Sequence, residues 1–213
     1  MLDFRAAIFD MDGTVLDSMG VWSEVDRKFF ENRGMTIPDD YVKEISGLSF
    51  RQTAVYTKER FSLPESVDAI MAEWDKMCVT EYAEHVLLKE NAREYLLKLK
   101  SEGKKLGVAT ALPERLYRPV LERNGVFNLF DAFATTDETD ERKATGKIYL
   151  LCAERLHAAP SECCVFEDIL DGITGAKAAG MKAVLVKDKA SKHSREESLK
   201  LCDAHLDAWG EWL

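Results

Sequence analysis

With 213 residues and 24.1 kDa, the chain has the length of one domain, or of one domain carrying an insertion, and not of a repeat array. Apolar residues make up 46% and charged residues 31%, so a sizeable core and a soluble surface are expected, and disorder is excluded. The formal charge of −9 repels polyanions, which excludes nucleic acid and acidic membranes as partners and obliges any small anionic ligand to find a local positive field.

The first apolar run, Ala6-Ala7-Ile8-Phe9, is too short for a signal peptide and ends at Asp10. No stretch approaches the roughly 20 apolar residues of a membrane helix. The cysteines Cys78, Cys152, Cys163, Cys164 and Cys202 are odd in number and lack C-x-x-C spacing, so a reduced, cytoplasmic protein is expected.

In chain order, residues 5–10 predict a first strand, and no further strand signal appears until residue 105. Residues 15–84 read as helical. Val21, Trp22, Val25, Phe29 and Phe30 form one apolar face that Gly34 closes, and Pro38-Asp39 precede a second helix. Ser49 and Gln52 have capping-box spacing for a third, and Pro64-Glu65 opens a fourth running toward Tyr82. Asn91 and Glu94 suggest another capped helix that Gly103 ends. Strands at 105–110, 163–168 and 182–187, with a weaker one at 131–135, alternate with helices from there on. This βαβα rhythm predicts an α/β fold with a parallel sheet covered on both faces. The expected division is a core of residues 1–14 and 85–213 with a helical cap, residues 15–84, inserted after the first strand.

The strongest chemical signal is Phe9-Asp10-Met11-Asp12-Gly13-Thr14. Strand ends of a parallel sheet face the ligand crevice, and residues two apart on extended chain project to one side, so both carboxylates can address one ligand. A calcium loop is excluded, since the third acid and the bidentate Glu of an EF-hand are missing. Val165-Phe166-Glu167-Asp168 is a second strand ending in paired acids, followed by Gly172 and Gly175. If the two strands are neighbours, four carboxylates converge, and a hard cation with oxygen ligands is implied; magnesium fits best. Gly175 and Gly180 have Walker-type spacing, but Met181 stands where lysine is required. Thr110 ends the 105–110 strand, where a hydroxyl and the following amides can donate to a phosphate oxygen or simply form a turn. Lys143 precedes a helix and reads alone as a solvated surface lysine.

These four features in this order resemble the haloacid dehalogenase superfamily, in its capped phosphatase and β-phosphoglucomutase-like branch, over essentially the whole chain. The resemblance implies a Rossmann-like core with a helical cap, and a magnesium-dependent phosphatase acting on small phosphomonoesters. It implies that Asp10 attacks phosphorus to give an aspartyl phosphate while Asp12 serves as acid and then base. Asp10, the Asp12 carbonyl and Asp168 would hold Mg2+ with Glu167 in support, and Thr110, Lys143 and the amide of Ala111 would hold the phosphoryl oxygens. Ala144-Thr145-Gly146 replaces the Pro-x-Pro that often follows the lysine, and Lys147 is its competitor. The second aspartate, Asp12, argues against dehalogenase chemistry.

The alternative within the family is a β-phosphoglucomutase-like sugar-phosphate mutase. The histidine, lysine and arginine that such enzymes use in the cap fall here on Trp22, Ser46 and Phe50, with Gly47 retained, so hydrolysis is favoured. Trp22, Gly47 and Arg51 are candidates for substrate contacts, Trp22 equally for cap core. A receiver-type signalling domain also uses strand-end acids, Thr and Lys, but has no such insertion. The expected partner is a small phosphorylated metabolite and the expected state a monomer.

Overall fold

The sheet grows outward from the first strand, because Ala6-Ala7-Ile8-Phe9 can be buried on both faces at once. The computed structural model describes residues 2–213. Its elements are β1 (Ala6–Phe9), β2 (Leu16–Asp17), α1 (Met19–Glu31), α2 (Tyr41–Ile45), α3 (Phe50–Phe61), α4 (Val67–Glu84), β3 (Leu87–Leu88), α5 (Ala92–Ser101), β4 (Lys105–Thr110) and α6 (Glu114–Arg123). They continue as β5 (Ala132–Thr135), α7 (Thr136–Thr139), α8 (Lys147–Arg155), β6 (Cys163–Glu167), α9 (Leu170–Ala178), β7 (Lys182–Val186), α10 (Arg195–Leu201) and β8 (Ala204–Leu206).

Six strands pair in the order β5-β4-β1-β6-β7-β8, all parallel. The fold is therefore α/β. β1 lies between β4 and β6, so the chain departs from it to opposite sides, and the crevice beyond its carboxyl end is the switch point where such sheets bind ligands.

Alternation along β1 divides the core. Ala7 and Phe9 join a cluster with Tyr95 and Leu96 of α5, Leu116 and Val120 of α6, and Trp209. Ala6 and Ile8 join the opposite cluster with Tyr149 and Cys152 of α8 and Ile173 and Ala176 of α9. Phe9 stacks on Phe166 at 4.8 Å between ring centroids, and Trp209 covers Phe166 at 5.6 Å, which locks β1 to β6 just below their functional ends.

Helices α1–α4 occupy the chain between β2 and β3. The Ser49–Gln52 capping box is formed, with bonds of 3.0 and 3.1 Å. Phe29, Phe30, Tyr41 and Trp74 fill the interior of the block. Arg33 stacks on the Phe29 ring at 3.7 Å and ties α1 to α4 through Glu73 at 2.6 Å and to Glu65 at 2.8 Å. Leu16 pairs with Leu88 and Asp17 with Leu87, so the chain enters and leaves the block side by side.

Three expectations need correction. Two strands, β2 and β3, do lie between residues 14 and 105, but they have two residues each, too few for periodicity to register. β8, at the exposed edge, was likewise not predicted. Asn91 precedes α5 in the left-handed region, φ 63°, and makes no cap bond; the turn from Lys89 to Ala92 starts that helix instead.

The last link to the site is a close approach. The single turn Lys143–Thr145 lies against α9 at Gly175, where any Cβ would overlap the Lys143 carbonyl. Gly175→Ala is therefore expected to push the lysine turn off α9 at a cost of about 1–3 kcal/mol, lowering Tm by several degrees in a thermal melt.

Candidate active site

The carboxyl ends of β1, β4 and β6 deliver Asp10, Thr110, Glu167 and Asp168 to one edge of the sheet. After Asp10 the chain turns sharply, with the Met11 carbonyl accepting from Thr14, Val15 and Leu16 at 3.2, 3.0 and 2.8 Å. Gly13 permits this turn with φ +76°, and a Cβ there would stand 2.6 Å from Asp168 Oδ2. Among the described residues the N–H groups of Met11, Asp12 and Ala111 donate to no acceptor, which leaves three amides beside Asp10 free for a ligand.

Lys143 enters from the turn before α8. Its ammonium bonds Asp10 Oδ1 and Glu167 Oε1, each at 2.5 Å. With exposures of 3% for Lys143, 4% for Asp10 and 0% for Glu167, this is a buried ionic group and not a solvated surface lysine. Burial works to neutralise the lysine, but attraction from Asp10 and Glu167 overrides it and holds the ammonium charged. The competitor, Lys147, pairs with Glu141 on the surface. Glu167 is fully engaged: Tyr149 donates to Oε1 at 2.8 Å, and the amides of Asp168 and Ile169 donate to Oε2 at 3.2 and 3.4 Å. Thr14 donates to Asp168 Oδ1 at 3.2 Å and Ser191 to its Oδ2. Asp10 Oδ2 alone receives no donor from the described residues, and Asp10 lines the cavity.

Carboxylate oxygens of Asp10, Glu167 and Asp168 lie within 4.8 Å of one another. Three acids face one ammonium, and burial followed by mutual repulsion raises the Asp168 carboxyl well above the usual range. Hard oxygen donors with surplus negative charge in a buried crevice fit a divalent cation such as magnesium.

The Asp12 side chain stands apart from this trio, contrary to the expected convergence of four carboxylates. It accepts from Ser18 at 2.6 Å and Tyr82 at 2.6 Å through Oδ1, and from the Trp22 indole at 3.1 Å through Oδ2. Loss of water in the cavity pushes its carboxyl up to about 6; the three donors oppose that shift, and the neighbouring Asp10 charge adds to it. A carboxyl so poised, two residues on from Asp10, suits proton transfer.

A cavity of about 220 Å³ opens above these groups, lined on the core side by Asp10, Asp12, Thr110, Ala111, Lys143 and Asp168. The Thr110 hydroxyl accepts from Leu112 N–H at 3.0 Å, which leaves its own hydrogen for a ligand. Trp22 and Gly47 line the cavity, and the Gly47 carbonyl accepts from Lys143 N–H at 3.1 Å. Trp22 thus combines both expected roles, packing on Phe50 and Tyr82 while holding Asp12. Arg51 is not brought to the cavity; it pairs with Asp68 at 2.9 Å on the outer surface of the helical block. Sequence reasoning missed Ser18, Tyr82, Tyr149 and Ser191. Tyr82 stands 70 positions from Asp12, and no local pattern joins the two.

Comparison with known proteins agrees with this geometry. Residues 7–186 match the family model for haloacid dehalogenase-like hydrolases. A phosphorylated carbohydrates phosphatase of Thermotoga maritima is 32% identical, the match covering 84% of this chain and 83% of that protein. Hexitol phosphatase B of Escherichia coli is 27% identical over 97% and 93%. In fold, the chain is similar to a β-phosphoglucomutase of Clostridium difficile, with TM-score 0.84 and 22% identity over 99% of this chain and 93% of that one. CbbY of Rhodobacter sphaeroides in complex with phosphate gives TM-score 0.84 at 22% identity over 98% and 96%. The chain belongs to the haloacid dehalogenase-like hydrolase family.

Proposed function

We propose that the protein is a cytoplasmic, magnesium-dependent phosphatase that releases phosphate from small phosphomonoesters through an aspartyl phosphate. The observation that carries this reading is the free Oδ2 of Asp10, facing the cavity while its partner oxygen is held by Lys143. Of the buried acids at the sheet edge, it offers the nucleophile: Glu167 has both oxygens occupied, and both oxygens of Asp168 accept hydroxyls. The named relatives that act on carbohydrate and hexitol phosphates suggest phosphorylated carbohydrates as the substrate class.

In the proposed reaction, Asp10 Oδ2 forms a bond to phosphorus as the bond to the leaving oxygen breaks, and Asp12 gives that oxygen its proton. Asp12 then takes a proton from water, which attacks phosphorus, breaks the bond to Asp10 and leaves inorganic phosphate. Lys143, the Thr110 hydroxyl and the free amides of Met11 and Ala111 offer positive charge and donors for the phosphoryl oxygens, the main demand of phosphoryl transfer. Asp10, Asp168 and the Asp12 carbonyl would hold magnesium, with Glu167 supporting, and the bound ion supplies further neutralisation of the phosphoryl group. Helices α1–α4 act as the cap, residues 15–84, that excludes water and reads the leaving group.

Purified protein is expected to release phosphate from p-nitrophenyl phosphate and from hexose phosphates with added Mg2+, and to lose that activity in EDTA. Asp10→Asn is expected to lower kcat about a thousandfold or more; activity within tenfold of wild type rejects the aspartyl phosphate. With β-glucose 1-phosphate and its bisphosphate activator, the expected product is glucose plus phosphate. Conversion to glucose 6-phosphate without phosphate release would establish a mutase instead. Tyr82→Phe removes one of three donors to Asp12 and is expected to lower kcat about tenfold while KM changes less, as steady-state kinetics will show.

A further inference from the structure

Of the three buried acids at the sheet edge, Asp168 alone is bonded by no ammonium among the described residues. Lys143 is committed to Asp10 and Glu167, whose carboxylate oxygens lie within 4.8 Å of an Asp168 oxygen and repel it. Two hydroxyls hold Asp168 against that repulsion, Thr14 on Oδ1 at 3.2 Å and Ser191 on Oδ2. A hydroxyl orients a carboxylate without neutralising it, so the negative charge stays available to a cation.

Thr14 belongs to the turn after β1, but Ser191 stands in the loop that follows β7, and that loop needs a support of its own. Asp188 provides it with both oxygens. Oδ1 accepts from the Ala190 N–H at 2.8 Å, closing the turn that leads into Ser191, and Oδ2 pairs with Lys89 at 2.8 Å. The Lys89 ammonium also donates to the Lys187 carbonyl at 2.9 Å, so it grips the loop twice. With side-chain exposures of 16% and 10%, the Lys89–Asp188 pair is shielded from the screening that weakens surface pairs. Lys89 directly follows β3, where the chain leaves the helical block, and its own N–H bonds the Val15 carbonyl at 2.9 Å beside the entering chain. Both holds on Asp168 therefore run back to the crossing between block and core, one through Thr14 ahead of β2 and one through Asp188 to the residue after β3.

We infer that Ser191 is a positioning residue of the metal site, which holds Asp168 where it and Asp10 can share a divalent cation, and that the Lys89–Asp188 pair keeps Ser191 in that place. The inference rests on the reading of Asp10 and Asp168 as magnesium ligands and adds the residues that orient one of them. It makes metal affinity depend on the crossing at which the helical block joins the core.

Metal affinity is measured without substrate, by titrating Mn2+ into the metal-free protein and following the free ion by EPR, with Mg2+ as competitor. Wild type is expected to bind Mn2+ that Mg2+ displaces. Ser191→Ala is expected to weaken binding about 10- to 100-fold, the usual effect of removing a group that orients a metal ligand. The Mg2+ concentration for half-maximal release of phosphate from p-nitrophenyl phosphate is expected to rise by a similar factor. Lys89→Met, which stays informative should Ser191→Ala fail to fold, is expected to weaken binding about threefold or more, and the double variant to match Ser191→Ala, because the lysine acts through the serine. Ser198→Ala removes a buried hydroxyl of α10 that bonds the Ser194 carbonyl at 3.0 Å, outside this chain of contacts, and is expected to leave affinity unchanged. Affinity within about threefold of wild type in Ser191→Ala, or an equal loss in Ser198→Ala, overturns the assignment and leaves the magnesium reading standing. Unchanged affinity in Lys89→Met, or losses that add in the double variant, overturn the link from Lys89 to the serine. Wild type that binds no Mn2+ rejects the magnesium reading as well.

Discussion

One ammonium holds the site together. Lys143 sits between Asp10 and Glu167 at 2.5 Å from each, in a place where none of the three side chains reaches bulk water. Taking one partner from such a group typically costs about 3–5 kcal/mol, because the remaining charges stay buried and uncompensated. The strand order makes the group possible. β1 and β6 are neighbours, so Asp10 and Glu167 end side by side, and the close approach of α9 to the lysine turn at Gly175 brings the cation to them from outside the sheet. The protein carries a formal charge of −9, and at this edge too the acids outnumber the one ammonium, so the lysine, a hydroxyl and free amides can donate to a phosphate only if a cation offsets the remaining carboxylate charge.

The lysine also connects the two parts of the cavity wall. Its own N–H bonds the Gly47 carbonyl, while its neighbour Arg142 reaches the Ser46 carbonyl at 2.9 Å and Asp171 at 3.0 Å. On the other side, Asp12 is held by Trp22 from the first turn of α1 and by Tyr82 from the last turn of α4. Both ends of the helical block therefore meet at Asp12, and the loop before α3 meets the segment carrying Lys143. A displacement of the block would disturb the Asp12 carboxyl before it disturbed Asp10, which is anchored by β1 and Lys143. In the proposed reaction this separates the nucleophile, fixed by the core, from the acid and base, fixed by the block.

The parts of this arrangement legible in the sequence are those carried by short-range patterns. A buried strand ending in two acids marks Asp10 and Asp12, a second marks Glu167 and Asp168, and alternation of strands with helices predicts the parallel sheet. Lys143 was indistinguishable from a surface lysine by local pattern alone; its recognition depended on family resemblance, and only the packing of its turn on α9 explains its burial. Tyr82, Tyr149 and Ser191 were illegible because each acts across a distance in sequence that no period spans: 70, 18 and 23 positions to their partners. Arg51 shows the converse. Its position just after Gly47 makes Arg51 a candidate for a substrate contact, but its place on α3 turns it outward to Asp68, and helix phase outweighs proximity in sequence.

The cavity thus divides by the state of its polar groups. Near the sheet edge, most side-chain charges and hydroxyls have partners, with the Asp10 oxygen and the amides beside it left open. Toward the helical block the lining is mostly apolar, with Val25, Val42, Ile45, Leu48 and Phe50 on the wall, and the Ser23 and Thr53 hydroxyls there are spent on backbone carbonyls of their own helices. In the proposed reaction the sheet edge therefore supplies the groups that act on phosphorus, while the helical block meets the rest of the substrate with a largely apolar surface.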